Sequence, residues 1–177
     1  MVHEEIIIAG FGGQGILSAG RLLAFAGMLE NKHVSWLPSY GPEMRGGTAN
    51  CNVVISDEPI GSPILNSCTS LIVMNGPSLN KFEKYVEKGG IIITDSSLVD
   101  RVPEIEGVDV YPIPATQMAN DMGNATFASI ILLGKLLKVT KIASMENFEL
   151  ALRKVLPEKY HNLIPDEMKA LKAGAEY

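Results

Sequence analysis

The residues best suited to chemistry stand near the start of the chain, where Ile6-Ile7-Ile8-Ala9-Gly10-Phe11-Gly12-Gly13-Gln14-Gly15-Ile16 joins an apolar run to a glycine cluster. Gly10, Gly12 and Gly15 have the GxGxxG spacing. Glycine lets a backbone turn tightly and approach a ligand, and a helix that begins at the turn offers unpaired N–H groups to an anion. The chemistry implied is binding of a phosphate-bearing ligand at Gly10, Gly12, Gly13, Gln14 and Gly15. The plainer alternative is that the glycines only let strand and helix pack closely. A P-loop is excluded, because Gln14-Gly15-Ile16-Leu17-Ser18 follows where Gly-Lys-Ser/Thr is required.

A second glycine-bounded loop, Ser39-Tyr40-Gly41-Pro42-Glu43-Met44-Arg45-Gly46-Gly47, carries an acid and a cation two residues apart. Glu43 and Arg45 form either a local surface pair of little energetic worth or, if the loop folds over the first turn, a bidentate cation for a phosphate. Other candidates are weaker. His3, His33 and His161 are scattered, without HExxH or a comparable cluster, and no GxSxG elbow surrounds Ser39 or Ser96. Asp95, at the end of an apolar run, either lines a ligand crevice or caps Ser97 and Leu98. Arg21 is read as structural. Cys51 and Cys68 form no CxxC pair and fall short of the four thiolates an iron–sulfur cluster takes, so two buried thiols in a reducing compartment are expected.

These residues need elements to position them. Glu5 to Ala9 reads as a buried parallel strand, being continuously apolar, and Gln14 to about Glu30 as a buried helix in which Gly20, Ala24 and Gly27 permit close approach to a sheet. His33 to Leu37 is the next strand. A nicotinamide-binding domain places Asp or Glu at its end, roughly 20 residues past the glycines, to hold the ribose. Pro38-Ser39-Tyr40-Gly41 stands there instead, and Glu30 reads as solvated surface. Thr48 to Ser56 alternates as a half-buried strand antiparallel to its neighbours. Leu71 to Met74 is a short strand; Ser78 is taken as the cap of a helix that runs past Val86 and stops at Gly89-Gly90. Ile91 to Ser97 and Val108 to Ile113 are further strands. Helices follow over Thr116 to Met122, Asn124 to about Leu137, and from Ser144 to a stop at Pro157. A weak helical pattern from Pro165 to Ala173 is expected to form a surface arm or partner contact.

The result is a single α/β domain over 1–177, with a core at about 3–157 and an arm at 158–177. It is expected to be a three-layer α/β/α, Rossmann-like fold with a mixed but mostly parallel sheet. The chain has 177 residues, net charge −5, 46% hydrophobic and 20% charged residues, which suits a folded protein and argues against nucleic acid as partner. Pro63 and Pro77 break the uncharged run from Pro59 to Asn80, and no charged-then-apolar leader precedes the first strand, so a cytoplasmic protein away from the membrane is expected.

Taken together, Gly10-Phe11-Gly12-Gly13-Gln14-Gly15 and Ser39-Tyr40-Gly41-Pro42-Glu43-Met44-Arg45-Gly46-Gly47-Thr48-Ala49 resemble the gamma subunit of 2-oxoacid:ferredoxin oxidoreductases, a likeness that runs nearly end to end through Asp95-Ser96 and Gly123-Asn124. The resemblance implies an assembly that oxidatively decarboxylates pyruvate, ketoisovalerate, 2-oxoglutarate or another 2-oxoacid to an acyl-CoA. It implies thiamine diphosphate, Mg and iron–sulfur clusters in partner chains, namely thiamine-binding alpha and beta subunits and a ferredoxin-like delta subunit. This chain then helps to build the hetero-oligomer, a homodimer being the alternative for the isolated chain. It also contributes to a coenzyme A site, a role carried onto Gly12, Gly13, Gln14, Gly15 and Arg45, with Glu43 beside them. A free-standing nucleotide-binding oxidoreductase and a purely structural subunit without ligand remain the competing readings.

Overall fold

The computed structural model describes residues 1–39 and 48–177; Glu43 and Arg45 lie outside the described residues. A six-stranded sheet in the order β2-β3-β1-β4-β5-β6 forms the centre, with β1 His3–Phe11, β2 His33–Ser39, β3 Thr48–Ser56, β4 Cys68–Val73, β5 Val86–Asp95 and β6 Asp109–Ile113. β1, β4, β5 and β6 pair in parallel, whereas β3 runs antiparallel between β1 and β2. The alternation of Thr48 to Ser56 thus reports what it should, a strand within a mixed sheet. Its Ala49, Cys51, Val53 and Ile55 are all buried. Both edge strands contain a proline, Pro38 in β2 and Pro112 in β6, which removes a backbone donor from each.

Two apolar layers sandwich the sheet. Ile6, Ile8, Ile72 and Ile93 face helices α1 Ile16–Leu29, α3 Ala115–Asp121, α4 Ala128–Thr140, α5 Met145–Val155 and α6 Ile164–Glu176. Ile7, Ala9, Leu71, Val73 and Ile92 face the short α2 Gly76–Phe82 together with Leu65, Val99 and Val108. Strand residues alternate between faces, so the continuous isoleucine runs of β1 and β5 are the signature of a sheet covered twice. No helix among the described residues is long and apolar enough to cross a membrane.

Three local expectations are corrected. Asn75 rather than Ser78 caps α2: its Oδ1 accepts from Ser78 N–H at 2.8 Å, and Pro77 occupies the first turn, where its missing N–H is harmless. That helix ends at Phe82, and β5 already begins at Val86. Gly89 and Gly90 therefore lie inside an irregular strand: Gly89 has φ +89°, and a Cβ on Gly90 would stand 2.7 Å from Thr69 O. The third correction concerns the tail, which is no arm. After a 3-10 segment at Glu158–Leu163, α6 packs on α4 with Ile164, Ala170 and Leu171 fully buried. The two helices touch at glycine. A Cβ on Gly134 would overlap Leu171 O and lie 2.8 Å from its carbonyl carbon, and one on Gly174 would overlap Ile131 O.

Candidate functional site

β1 delivers the glycine cluster to the carboxyl end of the parallel strands, where open α/β sheets bind ligands. Gly10 and Phe11 still belong to the strand, opposite Ala49 and Thr48 of β3. The chain then reverses: Phe11 O accepts from Gln14 N–H at 3.3 Å, and Gly13, third in this four-residue turn, has φ +90°. That is the position a type II turn reserves for glycine. Gly15 follows at φ +78° as the residue before α1, again in the left-handed region.

α1 starts without a side-chain cap and without an acid in its first turn. Its leading N–H groups have no intrahelical acceptor by geometry, and the helix dipole adds partial positive charge there. Gln14 has a different task from the glycines. Its Oε1 accepts from Phe11 N–H at 2.6 Å while its Nε2 donates to Met74 O at 3.3 Å, so the side chain ties the turn to the end of β4.

Two hollows flank the turn and share Gly13 and Gly15. One, of about 310 Å³, is lined by Phe11, Gly12, Ile16, Leu17, Ser18 and Ala49, and thus by the first turn of α1. The other, of about 280 Å³, is lined by Gln14, Met74, Leu98, Thr116, Ala125, Thr126 and Ala128. A Cβ on Gly13 would meet nothing within 4 Å, so the space above that residue is open. The second hollow was not foreseen from sequence. Its walls come from four separate connections that only the sheet order brings together.

Asp95 proves to be a capping residue. Fully buried, it accepts from Ser97 N–H at 3.1 Å, from Thr116 N–H at 3.2 Å and from Thr116 Oγ1 at 2.5 Å. It therefore supplies α3 with the N-terminal acceptor that Pro114 cannot, and fixes Thr116 at the hollow. Glu30, read as solvated surface, joins two helices: its Oε1 accepts from Ser144 N–H at 2.7 Å and Asn147 Nδ2 at 2.9 Å. The backbone N–H of Ser144 is the chief reason its carboxyl is held below the usual carboxylate range.

The histidines do not converge. His3 contacts Ser56 and Glu5, whereas His161 contacts Leu156 O at 2.9 Å. Among the described residues no group of three or more His, Cys, Asp and Glu side chains is placed to hold a metal ion. Cys51 and Cys68 are both fully buried and unpaired, and burial pushes each thiol up to about 12. Two inert thiols lying on separate strands do not fit an iron–sulfur cluster.

A covered, mostly parallel sheet with a glycine turn at its carboxyl end defines a nucleotide-type α/β domain. Residues 5–177 match the family model of pyruvate ferredoxin/flavodoxin oxidoreductases, and the chain belongs to that family. It is 40% identical over 175 residues to the ketoisovalerate oxidoreductase subunit VorA of Methanothermobacter marburgensis; this covers 98% of the chain but 36% of VorA, so the chain spans about a third of that relative's length. The solved keto/oxoacid ferredoxin oxidoreductase gamma subunit from Geobacter sulfurreducens superposes with a TM-score of 0.85 at 30% identity, covering 99% of this chain and 96% of that one. A 2-oxoglutarate:ferredoxin oxidoreductase from Magnetococcus marinus, solved with 2-oxoglutarate, coenzyme A and succinyl-CoA bound, gives a TM-score of 0.85 at 25% identity, with coverage of 99% of this chain and 31% of the other.

Proposed function

We propose that the chain is the gamma part of a cytoplasmic 2-oxoacid:ferredoxin oxidoreductase and that it holds the phosphate end of coenzyme A at Gly12, Gly13, Gly15 and the start of α1. The carrying observation is the uncapped helix start, free of acids and bordered by two hollows that share Gly13 and Gly15. A relative's complex with coenzyme A supports the choice of ligand. Bound coenzyme A supplies the thiol that accepts the acyl group. This chain's residues bind and orient; they carry no thiamine or cluster chemistry, which falls to alpha, beta and delta partners. Arg45 adds a fork of donors to the phosphates, and Glu43 stands two residues before it in the sequence.

Calorimetry with coenzyme A and with NAD, on the full chain and on the co-purified complex, tests the proposal. Coenzyme A is expected to bind and NAD is not, and Arg45→Ala should weaken coenzyme A binding roughly ten- to a hundredfold, the worth of a charge-assisted contact. A separate hollow between α4 and α6 is lined by Lys135, Lys138 and Lys172 and is the natural competitor for an anion. Binding that survives Arg45→Ala and Gly13→Val but is lost in Lys135→Ala/Lys172→Ala would overturn the site. Binding of NAD instead would favour the free-standing oxidoreductase, and binding of neither in chain or complex would leave a structural subunit.

A further inference from the structure

The glycine turn is closed on both sides by one residue. The Gln14 N–H donates to Phe11 O, and the Phe11 N–H donates to Gln14 Oε1, so residues 11 and 14 grip each other reciprocally. The remaining end of the amide reaches Met74 O, just past the end of β4. Both heteroatoms of the Gln14 side chain are thus engaged within the protein. These two bonds fix the orientation of the amide relative to the turn and β4.

Gly10 belongs to the same device. It is buried, its φ is ordinary, and a Cβ there would stand 2.6 Å from Gln14 Oε1 and 2.8 Å from Ile16 Cδ1. The first glycine of the spacing therefore makes room for the Gln14 amide rather than for a ligand. Gly13, by contrast, faces open space.

We propose that Gln14 is a positioning residue: it presets the Phe11–Gly15 turn against β4, with Gly10 as its seat, so that a phosphate-bearing ligand meets N–H groups already aimed. This rests on the coenzyme A reading for the identity of the ligand. A turn ordered in advance pays no ordering entropy on binding, and that is how a residue without ligand contact raises affinity.

Gln14→Met keeps the bulk and removes both hydrogen bonds. Gly10→Ala displaces the amide from behind and also presses on Ile16 Cδ1. Both are expected to weaken coenzyme A binding by the full chain roughly five- to tenfold, the worth of one hydrogen bond's preorganisation. In the assembled enzyme the KM for coenzyme A should rise with kcat unchanged. Gly10→Ala should cost less affinity in a Gln14→Ala background than in the wild type, because the amide it displaces is gone and only the Ile16 contact remains.

Amide hydrogen exchange supplies the ligand-free readout: the Phe11 N–H should lose protection in Gln14→Met and keep it in Gln14→Glu, whose carboxylate still accepts, while Ile7 in mid-strand stays protected in both. An unaltered Phe11 amide in Gln14→Met would overturn the clamp. Wild-type affinity in both single variants alongside a deprotected Phe11 would overturn the positioning role. If wild-type chain and complex fail to bind coenzyme A, the ligand assignment falls, and with it the affinity half of the proposal; the exchange result then judges the clamp by itself.

Discussion

Gly134→Ala tests how the C-terminal helix is held. The added methyl would overlap Leu171 O and stand 2.8 Å from its carbonyl carbon and 3.1 Å from Ala175 N, all backbone atoms that no rotamer change can withdraw. Relief requires α4 and α6 to separate by roughly 1 Å, and such a gap forfeits a quarter to a half of each dispersion contact across it. The contacts at stake include the fully buried Ile131, Ala170 and Leu171. Overpacking typically costs about 1–3 kcal/mol, and backbone on the receiving side places this case near about 3 kcal/mol. At about 2–4 °C per kcal/mol for a chain of this size, Tm should fall by roughly 6–12 °C. Gly174→Ala meets Ile131 on the same crossing, its Cβ 2.6 Å from that carbonyl carbon, so the two changes should be strongly non-additive. Once one methyl has parted the helices, the second finds space. Urea melts of both singles and the double, with m-values compared, measure the coupling. Losses below about 0.5 kcal/mol for each single, or strict additivity, would refute the reasoning.

Three further outcomes follow from the same geometry. Truncation after Pro157 removes α6 from Ile131 and its neighbours, so the shortened chain should fail to give a cooperative melt rather than behave as a domain that has lost an arm. Cys51 and Cys68, with thiols pushed up to about 12 by burial, should resist a thiol reagent at pH 8 and react together when the chain unfolds; fast labelling of either in the native chain would contradict the packing. Glu30→Gln should be destabilising at neutral pH. Because the folded-state pKa of Glu30 is depressed, chiefly by Ser144 N–H, its contribution is full above the unfolded value near 4.5 and is lost as pH falls through the folded value. The stability gap between wild type and Glu30→Gln should therefore close on acidification below about pH 4.5, and a gap that widens would reverse the sign of the argument.

Elements with strong local signals were legible in the sequence. Ile6 to Ile8 and Ile91 to Ile93 read as doubly covered strands because β-branched runs without alternation have no solvent face to satisfy. The helix read from Ser144 onward is α5, and Ser144 caps it, its Oγ accepting from Asn147 N–H at 3.0 Å. Ser78 reads as the cap of α2 because Asn75-Gly76-Pro77 both ends β4 and begins the helix, with Pro77 tolerated in its first turn. α6 looked peripheral for a related reason. Three of its five buried residues, Ala170, Gly174 and Ala175, are small and carry little hydropathy signal, and Gly174 acquires meaning only against Ile131. At the site, the glycine turn was visible locally, whereas Leu98, Thr116 and Thr126 carry no motif; strand order alone gathers them.

Strand order also explains the missing ribose acid. In a dinucleotide-binding sheet the strand after the first helix lies beside β1, so an acid at its end reaches a ribose whose phosphates sit on the glycine turn. Here β3 is inserted between them: Ser39 pairs with Asn50, which pairs with Ala9. The end of β2 is thus two strand spacings from β1, about 10 Å, too far for a carboxylate to serve that ribose. The place beside the turn belongs instead to Thr48 and Ala49, opposite Phe11 and Gly10, and Ala49 lines the hollow at the start of α1. An antiparallel strand enters at this end of the sheet where a parallel one would leave it. Strand order therefore leaves the glycine turn without the ribose-binding neighbour that a dinucleotide site needs.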